Sequence, residues 1–396
     1  MQNVILSRDG QISSRTVLAG AGTTPAKPPR DQRLDFFRGL GMLIIFLAHA
    51  PGNPWNSWIP ARFGFSSATE LFVFCSGLAS AFAFGGTFLK NGWFLGTARI
   101  SYRVWQVYWA HIGLFMALAA LAVVVKQLGW GEAYYEEHIS PIAQDPGTAI
   151  LGLVTLRWLP GYLDILPMYL IILAMVPIMM ALRRVQPILP FLFSIGLYAC
   201  VWAFGINLKG NPWSEFGWFF NPFAWQLIFF LGFAFGLRWL QPPLPGQRTL
   251  LTICAAFVVA AIPLSFWGFT DAVPTLATAH HWLLAGEEKT NLHPLRIVHF
   301  LALSYLVLSF VAARQPRLDG PLGRHVIKVG QQSLASFLLS LVVARLAGVA
   351  LDMMGRDALS TMIINLAGLG MIILGAHAVS WFKSSPWTAR REVRPL

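Results

Sequence analysis

Charge is scarce in this chain, and acid is scarcer than base. Lysine and arginine number 29, aspartate and glutamate 17, and together they make up 12% of 396 residues. A soluble domain carries about 25% charged residues, so a water-facing surface on all sides is excluded. Cysteine is nearly absent. The 3 cysteines, Cys75, Cys200 and Cys254, lie within apolar runs, and none has the spacing of a metal ligand or of a disulfide framework. They read as small packing residues. No internal repeat is found, which weighs against a transporter built from inverted halves. Residues 1–30 lack the apolar stretch of a signal peptide.

Apolar residues are plentiful: 56% of the chain is hydrophobic, with 30 phenylalanines and 16 tryptophans. That composition suits lipid-facing helices with aromatic belts. A membrane span needs about 20 residues. Apolar segments near 35–50, 69–89, 98–125, 162–182, 188–206, 217–240, 249–268, 293–313, 330–351 and 359–382 predict about ten spans. The expected fold class is therefore all-α and polytopic. Residues 1–30, rich in Ser, Thr, Gly, Ala and Pro, read as a disordered tail, 31–382 as the membrane domain, and 383–396 as a basic tail.

The net charge of +12 is distributed by sidedness. Basic residues mark the tail (Arg8, Arg15, Lys27, Arg30, Arg33) and every second turn: Lys90; Arg183 and Arg184; Arg238 and Arg248; Arg314, Arg317, Arg324 and Lys328. They return after the last span at Lys383, Arg390, Arg391 and Arg394. The alternate loops hold Glu132, Glu136, Glu137, Asp145, Glu215, Asp271, Glu287 and Glu288. By the positive-inside rule both termini are cytoplasmic and the acidic loops are outside. Basic residues spaced between apolar runs serve topology, so nucleic-acid binding is excluded. Two outer loops, 126–161 and 269–292, are long, which marks them as functional or disordered.

The segment Asp35 to His49, DFFRGLGMLIIFLAH, carries ionisable groups into an apolar helix. Arg38 and His49 are eleven positions apart, almost three helical turns, so they share one face roughly 16 Å apart along the axis. Intramembrane ionisable groups are functional candidates by default, though a snorkelling Arg and an interfacial His would also fit. An imidazole can accept a proton from an attacking hydroxyl or be acylated itself, and the sequence leaves both open.

Further strings follow in order: ELFVFCSG (Glu70–Gly77), LPMYL (Leu166–Leu170), NPFAWQLIFFLG (Asn221–Gly232), KTNLHPLRIVHF (Lys289–Phe300) and GQQSLASF (Gly330–Phe337). Arg-x10-His with ELFVFCSG resembles the acyltransferase-3 type of membrane acyltransferase, and the whole set resembles its OpgC branch. That resemblance implies an inner-membrane enzyme that moves succinyl groups from acyl-CoA, a co-substrate rather than a tightly bound cofactor, to osmoregulated periplasmic glucans. No metal is implied. Membrane lipid, acyl-CoA and a glucan are the expected partners.

On that reading His49, Arg38 and Glu70 form the catalytic set. Glu70 would orient His49, although Ser67-x-x-Glu70 is also a capping box. Arg99 and Arg103, four apart with Tyr102 between them, share the inner face of the third helix and suit coenzyme A phosphates. This Arg-x3-Arg departs from the tighter basic motif of the superfamily. His111 and Tyr108 lie deeper on the same helix. Asp164, Asn221 and Gln226 are candidates for the acceptor or for helix-end and cross-helix bonding. Arg296, His299 and Arg345 are candidates for the acyl group, because a succinyl tail carries a carboxylate that Arg grips in a bidentate way. A sugar or anion transporter or flippase, using the same buried polar groups, is the rival reading.

The charge asymmetry makes a direct prediction. A reporter active only outside the cytoplasm should be silent when fused after Leu396 and active when inserted within 126–161. The reverse result would overturn the expected sidedness.

Overall fold

In hydrocarbon a chain must bond its own backbone polar groups, and a helix does so within one segment. The computed structural model describes residues 32–130, 132–284, 289–314, 318 and 320–388. Among them are α1 (Gln32–His49), α2 (Ala68–Ser80), α3 (Gly86–Gln127), α4 (Glu132–His138), α5 (Ser140–Gln144), α6 (Pro146–Val154), α7 (Ile165–Val185) and α8 (Leu189–Phe204). They continue with α9 (Pro222–Gly236), α10 (Arg248–Ser265), α11 (Trp267–Thr270), α12 (Pro274–Leu284), α13 (Pro294–Arg314), α14 (Pro321–Gln331), α15 (Ser333–Met354) and α16 (Ala358–Lys383). A lone antiparallel bridge, Lys209 to Gly217, closes a hairpin between α8 and α9. The tail expected over 1–30 lies outside the described residues, as do Glu287, Glu288, Arg317, Arg390, Arg391 and Arg394.

Among the described residues, six helical stretches are long and apolar enough to cross a membrane: Ala68–Gln127, α7, α10, α13, α15 and α16. The first holds two of the expected spans, because α2 runs through a π-helical turn at Ala81–Gly85 directly into α3. α8 and α9 are apolar but shorter. α1 falls outside this set, and its first turns carry Arg33, Asp35 and Arg38. Two details differ from expectation. The third segment is helical from Gly86 rather than residue 98, with a break at Gly92, whose φ of 86° favours glycine. The long outer loops are also not irregular, since α4–α6 and α11–α12 fill them.

Two crossings bring backbones together with no side chain between them. A Cβ on Gly77 of α2 would lie 2.0 Å from the Phe229 carbonyl oxygen, and one on Gly232 of α9 would lie 2.2 Å from that of Phe74. Likewise a Cβ on Gly39 of α1 would lie 2.0 Å from Val326 O, and one on Gly330 of α14 would lie 1.8 Å from Asp35 O. Small residues at such faces let helices approach closely where hydrophobic burial gives no drive. Met42, Phe46, Trp225, Phe229 and Phe233 are fully buried around these crossings.

Polar contacts gather at the two ends of the bundle. At one end Arg38 donates to Ser333 Oγ, Lys383 to Gln332 Oε1 (2.7 Å) and Lys328 to Ser380 Oγ (3.2 Å). The start of α1 and the end of α16 thus meet at the α14–α15 junction. At the other end Asn53 and Asn365 exchange amide hydrogen bonds of 2.8 and 3.0 Å.

The crossings predict a contrast between glycines. Gly77→Val should lower the melting temperature and monodisperse yield in detergent, on the scale of about 1–3 kcal/mol for overpacking. Gly196→Ala in α8, with open space around its Cβ, should leave both unchanged. Equal behaviour of the two variants would remove the claim of backbone contact.

Candidate active site

His49 ends α1, and its ring is fixed from two sides. Nδ1 lies 2.8 Å from the carbonyl oxygen of Ile45 one turn earlier. A carbonyl only accepts, so Nδ1 carries the proton and the neutral ring keeps its lone pair on Nε2. The Tyr162 ring stands edge-on to the imidazole with centroids 5.0 Å apart. Ile45, rather than Glu70, therefore orients this imidazole, a correction of the sequence reading.

Tyr162 links His49 to a charged layer. The Arg345 guanidinium of α15 sits 4.5 Å above the Tyr162 ring. Arg345 also pairs with Glu137 of α4 at 3.4 Å, and Glu137 lies 3.5 Å from His138 Nδ1. Tyr162 takes this place with φ 65°, a left-handed conformation uncommon for a residue with a Cβ. Lys289 and Arg345 each act electrostatically on His49. Asp164, just before α7, faces Glu137 and Lys289. Burial pushes its carboxyl up to about 7, with the negative Glu137 adding to the rise and Lys289 opposing it.

Lys289 was not singled out from the sequence. Its backbone is held by Trp225, whose Nε1 donates to the carbonyls of Lys289 (3.0 Å) and Thr290 (3.2 Å). Asn221 completes the anchor: it caps α9 through Phe223 N at 3.1 Å and donates to Asn291 Oδ1 at 2.9 Å. Tyr198 donates to Leu292 O at 2.8 Å. The Lys289 ammonium lies 5.5 Å over the Phe220 ring. A lone lysine in the otherwise acidic loop 269–292 was the available signal.

The remaining candidates divide between internal pairing and open surface. Glu70 is fully buried at the start of α2. It accepts from Ser67 N at 2.7 Å in a capping box and from Arg296 Nε at 2.7 Å. Arg296 thus meets a carboxylate inside the protein. His299, one turn along α13, bonds Ser66 through Nδ1 at 2.7 Å. Gln226 accepts from Ser194 Oγ at 2.6 Å and donates to its carbonyl at 2.8 Å, tying α9 to α8 as an amide at lipid depth does. Arg38 bonds Ser333, at the opposite end of α1 from His49.

Arg99, Arg103 and Tyr102 lie along α3 away from this layer. Arg99 donates to Thr87 Oγ1 at 2.6 Å and stacks 5.5 Å from the Phe84 ring, while Arg103 donates to Gln106 Oε1 at 3.2 Å. Tyr102 is exposed. Arg184 reaches the Phe88 carbonyl at 3.0 Å, so the basic end of α7 meets the same turn. His111 is fully buried farther along α3, and Tyr108 donates to Val154 O at 2.9 Å. The structure therefore gathers His49, Asp164 and Arg345 with Tyr162, Lys289 and Glu137. Glu70, Arg296 and His299 form a second cluster, and Arg99 and Arg103 a third.

The comparisons with known proteins address the whole membrane domain. A family model described as OpgC protein matches residues 30–384. No curated protein and no solved structure gives a significant match. The family match spans nearly all of the helices above and includes His49, Tyr162, Lys289 and Arg345. The chain belongs to the OpgC family, and with it to the multi-pass membrane proteins of acyltransferase type.

Proposed function

We propose that this protein is an O-acyltransferase of the inner membrane that moves a succinyl group from acyl-CoA to a hydroxyl of an extracytoplasmic glucan. The observation that carries the proposal is the imidazole of His49, held by Ile45 O with Nε2 left as a lone pair, beside Tyr162 and within reach of two cations. In the proposed topology of ten crossings, with both termini cytoplasmic, His49 lies toward the outer surface. Arg99 and Arg103 face the cytoplasmic end, where coenzyme A phosphates would arrive.

His49 Nε2 takes the proton of the acceptor hydroxyl as its oxygen bonds to the thioester carbonyl carbon. The carbonyl electrons move to oxygen, giving a tetrahedral oxyanion that Lys289 or Arg345 stabilises. When the carbonyl re-forms, the carbon–sulfur bond breaks and the imidazolium returns its proton to the departing thiolate. Ester and free coenzyme A are the products, with no net redox change. Glu70 and Arg296 act at one remove, by fixing the start of α2 against α13. The free carboxylate of the succinyl tail needs a cation, and Arg345 supplies one whose guanidinium is already oriented by Tyr162 and Glu137.

Purified protein given succinyl-CoA and a glucan should release coenzyme A and form the ester. His49→Ala should lower turnover by about 10²–10⁴-fold with an unchanged melting temperature. Near-normal turnover in that variant would refute the proposed base. Solute flux across vesicles without thioester cleavage would instead establish a transporter.

Arg345→Gln should discriminate between donors. Loss of a charge-assisted hydrogen bond of about 1.5–3 kcal/mol would cut succinyl transfer by roughly 10–150-fold. Acetyl transfer, which lacks the carboxylate, should fall less. Equal losses with both donors would assign Arg345 to the oxyanion or to structure.

A further inference from the structure

Between the acidic layer and the Lys209–Gly217 hairpin lies a cleft of about 370 Å³. Its walls carry Trp158, Trp213, Phe216, Trp218 and Phe219, with the carboxylates of Glu137 and Asp164 and the amide of Asn211. Among the described residues, no lysine or arginine lines it. Trp158 and Trp218 are buried and form the floor, whereas Trp213 (43%) and Phe216 (78%) keep open faces.

The cleft is built rather than incidental. Leu159 N donates to Gly210 O at 3.1 Å, joining its two walls. Trp218 Nε1 donates to Lys209 O at 2.9 Å, and Asn207 Nδ2 donates to Trp218 O at 2.9 Å. The Trp213 ring is held at its edge by Asp145 Oδ2 at 3.3 Å and by a T-shaped contact with Trp158 at 5.7 Å. Glu137 fits because Gly161 has no side chain: a Cβ there would lie 1.6 Å from Glu137 Oε1.

We propose that this cleft binds a neutral saccharide chain through its pyranose rings. A pyranose has flat C–H faces and a rim of hydroxyls. Indole and phenyl faces match the former, and carboxyl groups, which hydrogen-bond hydroxyls, match the latter. The phosphates of acyl-CoA or of a lipid headgroup fit it less well, since the described residues of the lining offer carboxyl groups and aromatic faces and no lysine or arginine. Asn211 completes the fit. Its Oδ1 accepts from Trp213 N at 3.0 Å, which leaves the amide hydrogens for a sugar oxygen. The cleft adjoins the active layer directly, because Glu137 pairs with Arg345 and Gly161 precedes Tyr162, whose ring packs on His49. That the bound chain is the acyl acceptor rests on the function proposed above; that it is a saccharide does not.

The test reads binding with no acyl donor present, so it is independent of transfer. Purified wild-type protein in nanodiscs is titrated with linear β-linked gluco-oligosaccharides, followed by tryptophan fluorescence and calorimetry. Saturable binding is expected. Trp213→Ala and Phe216→Ala should each weaken it roughly tenfold, the scale of one lost aromatic contact. Trp213→Phe, which keeps an aromatic face, should retain most of the affinity even if the alanine variant folds poorly. Phe94→Ala, an exposed aromatic on α3 away from the cleft, should bind as wild type. Absence of oligosaccharide binding, or wild-type affinity in the folded Trp213 and Phe216 variants, overturns the proposal. Oligosaccharide binding that Trp213→Ala weakens, in a protein that transfers no acyl group, upholds the saccharide site and removes only the acyl-transfer reading.

Discussion

Two helix crossings without intervening side chains set the distances that the rest of the bundle must satisfy. At Gly77–Gly232 and Gly39–Gly330 the limit on approach is the backbone itself. The hydrophobic effect gives apolar helices no reason to associate in lipid, so close packing and internal hydrogen bonds must do so. The glycines lie within strings that mark the chain as OpgC-like, ELFVFCSG, NPFAWQLIFFLG and GQQSLASF, with Gly39 directly after Arg38. The family resemblance is therefore partly a record of packing geometry. It is through the α1–α14 contact that the helix bearing His49 acquires its position.

The buried ion pair between α2 and α13 adds a different constraint. Glu70 and Arg296 are both buried, and neither has water to turn to. Such a pair contributes little net stability against an apolar replacement, but removing one partner strands the other charge at a cost of about 3–5 kcal/mol. It fixes the order in which α2 and α13 sit, since the capping box of α2 and the guanidinium of α13 share one carboxylate. Arg345, by contrast, holds Glu137 at 3.4 Å over a partly exposed tyrosine, a looser arrangement that a ligand can compete with.

Much of the helical architecture was legible, because apolar run length is a local property. Each expected span falls on a helix, and the capping box at Ser67 and Glu70 is present as spacing implied. Partners distant in sequence were not legible. Arg296 and Glu70 are 226 positions apart, and spacing along one helix says nothing about them. The rotamer of His49 was equally hidden, since any helical histidine has a carbonyl four residues back. The expected spans 188–206 and 217–240 rest on apolar length, which singles out neither Trp213 nor Trp218. Asn207, Gly210, Asn211 and Gly217, all turn formers within eleven positions, were the signal of a structured connection.

Tyr162 has a consequence of another kind. Its backbone occupies a left-handed region that costs a side chain with a Cβ roughly 1–2 kcal/mol and costs glycine nothing comparable. Selection for stability alone would therefore replace it with glycine, extending Gly161 by one. The ring that touches both His49 and Arg345 is therefore held at a cost in backbone strain. Sequences drifting under relaxed demand for activity should lose this tyrosine early and become sturdier as they do so.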